Sequence, residues 1–281
     1  MMKSAIKRIS IVFFLSIFPL IGFSWNALGH KIVANIAYQN LQPVTRNKVD
    51  QLVEWFKNEY PEMTTFQHLA YWPDAIRSQK IDSFTRWHYI NLPFSDDGTP
   101  LKNTIDTDNA VWAMNSIETV IRNERANLYE RARFLAFLIH IVGDLHQPLH
   151  SVTRLSAMNP DGDRGGNLFY VIYQNERINL HRLWDSGAGR FENDATQDEV
   201  SNVAKNIMTR YPKNSFGEKV TDLNPDHWAQ EGLANAKKYV YNTKENEVPS
   251  QDYFDTGKTF SEQEMALAGY RLAEVLNSLL R

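Results

Sequence analysis

The sequence has 281 residues, a formal net charge of −3 and no cysteine. That composition argues against a protein that coats nucleic acid with a basic stripe, and it rules out disulfide staples and thiolate metal sites. Any metal ligand must be His, Asp, Glu or backbone, a donor set suited to hard or borderline ions, zinc first.

The chain opens with Lys3, Lys7 and Arg8 ahead of an apolar stretch from Ile9 to Phe23. Pro19 and Gly22 break that stretch, and it is shorter than the ~20 apolar residues that span a bilayer. Gly22 and Ser24 stand at the small-residue positions of a cut before Trp25, so residues 1–24 read as a secretory signal peptide. The expectation is an exported protein, periplasmic or secreted, without stable membrane association after processing. Loss of the three basic residues takes the net charge from −3 to −6.

The remainder, residues 25–281, shows no repeat, low-complexity tract or linker, and reads as one mainly α domain. Apolar periodicity predicts helices over Leu28 to Leu41, Ala110 to Arg122, Glu130 to Leu145, Val200 to Tyr211, Trp228 to Tyr241 and Glu262 to Leu280. Leu168 to Tyr173 is β-branched and aromatic, with a turn-like Gln174 to Arg177, and predicts a small β-hairpin inserted among helices. Segments 92–104 and 154–167 read as long, exposed loops.

Chemistry concentrates in His140-Ile-Val-Gly-Asp144-Leu-His146-Gln-Pro148-Leu-His150. His140 and Asp144 are four apart and share a helix face, a two-ligand clamp. Pro148 stops the helix and redirects the chain before His150, which can then swing towards that face. A second pair at the same spacing, His181 and Asp185, follows the hairpin. A lone His beside a Trp, or one such pair, is ordinarily structural. Two pairs plus a His beyond a proline mark a metal site.

In chain order, the motifs Trp25-Asn-Ala-Leu-Gly-His30, Trp72-Pro-Asp74-Ala-Ile-Arg77, Trp87-His88-Tyr89-Ile90-Asn91 and His140…Asp144…His150 are joined by four more. These are Arg164-Gly-Gly-Asn167, Asn179-Leu-His181…Trp184-Asp185-Ser186, Trp228-Ala-Gln-Glu231 and Leu267-Ala-Gly-Tyr-Arg-Leu-Ala273. Together they resemble the zinc-dependent S1/P1 nuclease family, the fungal single-strand nucleases and plant bifunctional nucleases, over essentially the whole of residues 25–281. The resemblance implies a multi-helix fold of the zinc phospholipase C/nuclease type holding three Zn2+ ions. One ion would be held by Asp74, His88, His140 and Asp144. A second would take the free amine and carbonyl of Trp25, His30 and the other oxygen of Asp144; a third would take His150, His181 and Asp185.

The implied reaction is phosphodiester hydrolysis of single-stranded DNA or RNA to 5′-phosphorylated products, with 3′-nucleotidase activity beside it. Asp74 would orient the attacking water and Arg77 would bind the phosphoryl oxygens. Tyr89 would stack on a base, with Asn91 as its polar reader where the fungal enzymes carry an aspartate. Three divalent ions would also supply the positive charge that the acidic chain lacks. The rival readings are a zinc phospholipase C, whose ligand series ends in Glu where this chain has Asp185, and a zinc-binding export without catalysis. His68, His146 and His227 match no ligand position.

Overall fold

The computed structural model describes residues 25–193 and 195–281; the expected signal segment, 1–24, lies outside them. The described chain is mainly helical with two small strand pairs, and no described helix is long and apolar enough to cross a membrane.

Helix α1 spans Ala27–Gln39, and the Asn26 side chain caps it by accepting from the Gly29 amide at 3.0 Å. It is buried on nearly all sides, which is why its sequence is apolar beyond one stripe. Helix α2, Pro43–Lys57, was not legible as a separate helix from periodicity. Its buried face is a narrow set, Val49, Leu52, Val53 and Phe56, on an otherwise charged segment. Pro43 stands at its first turn, where the missing amide costs nothing. The short helices α3, Phe66–Leu69, and α4, Trp72–Ser78, then lead to a 3-10 turn at Thr85–His88.

Strand β1, Leu92–Phe94, pairs in parallel with β2, Val152–Arg154, a pairing that the loop reading of these segments missed. Three residues each, with no alternation to see, they leave no periodic signal. Their ladder has a consequence for function. Ile90 donates to the His150 carbonyl at 2.8 Å and Leu92 to that of Ser151 at 3.1 Å, which holds the His88 and His150 segments side by side.

Helix α5, Ala110–Arg122, has the bounds that periodicity predicts, and helix α6 covers Leu128–Leu145. Helix α6 stops before Pro148, which opens a 3-10 turn, Pro148–His150, as its ring geometry requires. Strands β3, Tyr170–Tyr173, and β4, Glu176–Asn179, form the expected antiparallel hairpin. Its turn is tighter than expected: Gln174 and Asn175 alone make it, at φ of 50° and 65°, the twist that suits a two-residue hairpin loop.

Helices α7, Leu180–Asp185, α8, Gln197–Arg210, and α9, Pro225–Asn235, follow. The helix expected to run on to Tyr241 instead changes to a π turn at Ala236–Val240. Helix α10, Gln251–Leu279, starts eleven residues before the expected Glu262. Ser250 caps it, and its first turns bury only Tyr253, Gly257 and Phe260 among exposed charges, too sparse a stripe to extend the pattern.

Helices α1, α6 and α10 form the centre of the larger core. A smaller core joins the hairpin to Trp184, Tyr253 and Phe260. An aromatic wall of Phe56, Trp72, Phe84, Trp87 and Phe137 backs helix α4 and the His88 turn. Removing one such ring costs about 3–5 kcal/mol, so the elements that carry Asp74 and His88 rest on rigid packing.

Candidate metal centre

Six elements converge on one buried patch. Helix α1 brings His30, α4 brings Asp74, and the 3-10 turn before β1 brings His88. Helix α6 supplies His140 and Asp144 one turn apart, the Pro148 turn supplies His150, and α7 supplies His181 and Asp185. All eight residues are buried, at 7% exposure or less. Among the described residues they form three groups that could hold a metal ion: His30, His140 and Asp144; Asp74, His88 and His140; and His150, His181 and Asp185.

The spacings suit an ion. A tetrahedral zinc with bonds of about 2.0–2.1 Å sets its donors about 3.3 Å apart. Asp144 Oδ1 lies 3.3 Å from His30 Nε2, while its Oδ2 lies 3.2 Å from both His88 Nδ1 and His140 Nε2. One carboxylate thus turns its two oxygens to different histidines. Asp74 Oδ1 is 3.6 Å from His88 Nδ1 and 3.7 Å from His140 Nε2. Asp185 Oδ1 is 3.7 Å from His181 Nε2 and 3.9 Å from His150 Nε2.

Backbone carbonyls set the imidazole tautomers. Nδ1 of His140 donates to Ala70 at 2.7 Å, that of His150 to His88 at 2.6 Å, and that of His181 to Gly165 at 2.6 Å. Each neutral ring therefore presents the lone pair of Nε2 to the patch, as a metal-binding histidine does. Asp74 Oδ1 and His150 Nε2 are buried with no hydrogen-bond partner, which is costly unless a cation completes them. The donor set and its orphaned atoms fit the expected zinc.

Electrostatics agree. Burial lowers the pKa of His30, His88, His140 and His150 and takes His181 down to about 4. Burial also raises Asp74 to about 6, and Asp144 and Asp185 well above the usual carboxylate range. The histidines are thus held neutral, ready to donate a lone pair, and the carboxylates need positive charge beside them. Arg77 supplies some: its guanidinium acts on all three carboxylates in the opposite sense to burial.

Arg77 and Tyr89 line one cleft of about 570 Å3 together with Asp82, Thr85, Arg86 and Asp108. Asn91 is not among its lining residues; its carbonyl accepts from the Thr104 hydroxyl at 2.6 Å. The Trp25 side chain is fully buried, and the next amide, Asn26, donates to the Asp185 carbonyl at 2.9 Å, so the first described residues are tied to the metal patch.

The other histidines lie outside the three groups. His68 pairs with Thr64, and His227 pairs with Asp222. His146 donates to Val142 and accepts from Arg271, whose guanidinium also grips Glu231 at 2.7 and 3.2 Å. The two C-terminal motifs thus meet behind the site and brace the turn that leads to His150.

Sequence reasoning missed three contributors. Gly143 lies where α6 meets α1, and a Cβ there would sit 2.7 Å from His30 Nδ1. Gln147, fully buried, donates to Asp185 Oδ1 at 2.7 Å and accepts from the Leu149 amide. Gly165, at φ 61°, offers its carbonyl to His181, and a side chain there would collide with the Leu149 carbonyl. The mid-helix glycine was the available signal, since it costs up to about 1 kcal/mol and asks for a packing reason.

The S1/P1 nuclease model matches residues 25–281. Nuclease S1 of Aspergillus oryzae is 26% identical over 278 residues, covering 91% of each chain. Endonuclease 2 of Arabidopsis thaliana is 27% identical over 278 residues, covering 91% of this chain and 90% of its own. Nuclease P1 of Penicillium citrinum is 23% identical, over 91% of this chain and 97% of its own. The chain belongs to the S1/P1 nuclease family.

Proposed function

We propose that this zinc-dependent nuclease cuts phosphodiester bonds of unpaired DNA and RNA at the patch around Asp144, leaving 5′-phosphate ends and also removing 3′-phosphates from nucleotides. The observation that carries the reading is the Asp144 carboxylate, with one oxygen towards His30 and the other towards His88 and His140. A carboxylate so placed can serve two neighbouring ions. Three zinc ions would be held by Asp74, His88, His140 and Asp144; by His30, Asp144 and the free amine and carbonyl of Trp25; and by His150, His181 and Asp185.

Zinc bound there would supply Lewis acidity towards a water molecule and a phosphoryl oxygen. The chain's residues do the rest. Asp74 accepts a hydrogen bond from the attacking water and orients it. Arg77, at the mouth of the patch, lays its guanidinium fork on the phosphoryl oxygens as charge builds. Tyr89 stacks on a base, which works only when the base is unpaired. By resemblance Asn91 would be the polar reader of that base; Asp82 and Asp108 line the cleft beside Tyr89, and Asn91 does not.

Residues 1–24 act as a cleaved export signal in this reading, and 25–281 form the enzyme, delivered to the periplasm or the medium. Such processing would create the Trp25 amine. Zinc-loaded protein beginning at Trp25 is to be incubated with single-stranded DNA, RNA, duplex DNA and phosphatidylcholine, with and without chelator. Chelator-sensitive cleavage of the two single strands with 5′-phosphate ends is expected. Preferential hydrolysis of phosphatidylcholine would overturn the reading.

A further inference from the structure

The cleft beside Arg77 holds more polar chemistry than stacking on Tyr89 requires. Arg86 reaches Asp106 Oδ1 at 3.4 Å and Asp108 Oδ2 at 3.6 Å, and Asp82 lines the same space. Arg86, Asp82 and Asp108 line the cleft with Tyr89; burial raises the pKa of the phenol, with Asp106 and Asp108 acting in the same direction and Arg86 and Arg77 against them. Arg86 is 55% exposed and Asp108 42%, so both members of this loose ion pair remain open to a ligand. Asp108 directly precedes Asn109, whose side chain caps α5, and the Ala110 amide donates to the Tyr89 carbonyl at 3.0 Å. The start of α5 is therefore tied to the Tyr89 backbone, and Asp108 shares one cleft with the ring that would stack on a base.

We propose that this cleft reads the base stacked on Tyr89 as guanine, through Asp108 and Arg86. The inference deepens the nuclease reading and rests on it.

A carboxylate only accepts, and a guanidinium only donates. Side by side, Asp108 and Arg86 present acceptor, acceptor, donor. That is the order on the pairing edge of cytosine, and its complement is guanine, with its 2-amino group, N1–H and O6 in a row. Adenine and cytosine each place a ring-nitrogen acceptor beside their amino group, so one carboxylate oxygen would face a lone pair. Uracil and thymine flank a single N–H with two carbonyls, and one of these would face an Asp108 oxygen. Only guanine offers two adjacent donors for a bidentate carboxylate. Arg is likewise the common partner of the guanine oxygen. Asn91, by contrast, is not among the residues lining the cleft, whereas Asp108 and Arg86 are.

The test is equilibrium binding of GMP, IMP, AMP and CMP to zinc-loaded protein by calorimetry, beside cleavage of GpU, IpU, ApU and CpU. GMP and IMP differ only in the 2-amino group. Wild-type protein is expected to bind GMP about tenfold or more tightly than AMP or CMP, with IMP between, and kcat/KM should follow the same order. Asp108→Asn should bring GMP level with IMP, and Arg86→Met should weaken both. The wild-type ranking needs no variant, so a poorly folding mutant would not spare the idea. AMP or CMP binding as tightly as GMP overturns it. Absence of cleavage on every single strand would instead overturn the nuclease reading, while the nucleotide ranking would still judge the cleft.

Discussion

Gly143 and His30 touch where helix α6 meets helix α1: a methyl group at residue 143 would lie 2.7 Å from Nδ1 of His30 and 2.9 Å from its Cε1. The imidazole also stacks on His140, at 3.9 Å between ring centroids, so any shift disturbs that contact too. Gly143→Ala is therefore expected to push His30 off its position towards Asp144. Overpacking of this kind costs about 1–3 kcal/mol, visible as a lowered Tm. Zinc content after dialysis should also fall below that of the parent. Unchanged zinc content and Tm would show that the contact relaxes without involving the ligand.

Chelation should lower the Tm as well as remove activity. Eight buried donors, two of them with atoms lacking any hydrogen-bond partner, are stabilised by ions that the unfolded chain cannot hold in place. Ligand at a thousand times its dissociation constant contributes about 4 kcal/mol per site. Scanning calorimetry before and after chelator, then after zinc is restored, reads this directly. An unaltered Tm would mean that the three groups are not occupied.

Asp144→Asn should damage turnover more than Asp185→Asn. The Asp144 carboxylate faces three histidines drawn from three elements, whereas the oxygen that Asp185 turns to His150 and His181 is already held by Gln147. An amide keeps one acceptor but turns a donor towards a cation. Turnover numbers at saturating zinc should separate the two variants by about tenfold or more, since an outer partner's loss alone costs 10–100-fold. Equal losses would remove the shared role of Asp144.

Gln147→Met should loosen the third group alone. The amide bridges Asp185 Oδ1 and the Leu149 amide in a fully buried place, so removing it leaves both unsatisfied. Partners that orient metal ligands contribute about 10–100-fold in metal affinity. Zinc titration should show one weakened site and two unchanged sites. Weakening of all three would point to general unfolding.

Much of this centre was legible because helical spacing is a local property. His140 with Asp144 and His181 with Asp185 stand one turn apart, and Pro148 forces the break that lets His150 approach. The motif-scale resemblance then named His30, Asp74 and His88, which spacing could not have grouped. What stayed hidden is non-local or carried by the main chain. The carbonyls of Ala70 and Gly165 that orient His140 and His181 leave no side-chain signature. Neither does the three-residue pairing of β1 with β2 that sets His150 beside His88. Asp108 lines the Tyr89 cleft from the segment before α5, and nothing in its sequence spacing relates it to Tyr89.

Full activity is expected only when Trp25 is the first residue of the chain. Its neighbour Asn26 donates its backbone amide to Asp185, and the Asn26 side chain donates to the Phe191 carbonyl, so the start of the described chain is anchored on the metal patch. A free α-amine there can offer a lone pair to zinc; an amide nitrogen at neutral pH cannot. A version that retains Ser24 should therefore lose one zinc and most of its activity while its core stays packed. Trp25→Phe, correctly processed, should behave in the opposite way. The Trp25 indole is fully buried and lies against Gly29 and Gly143, so a smaller ring leaves a void that lowers the Tm. The main-chain donors are unchanged by that substitution, so zinc content and turnover should survive it. If Trp25 serves only as a core plug, the ranking reverses. Zinc content, Tm and turnover of the two proteins, measured side by side, distinguish the cases, and a fully zinc-loaded, fully active Ser24-extended protein would remove the amine from the ligand set.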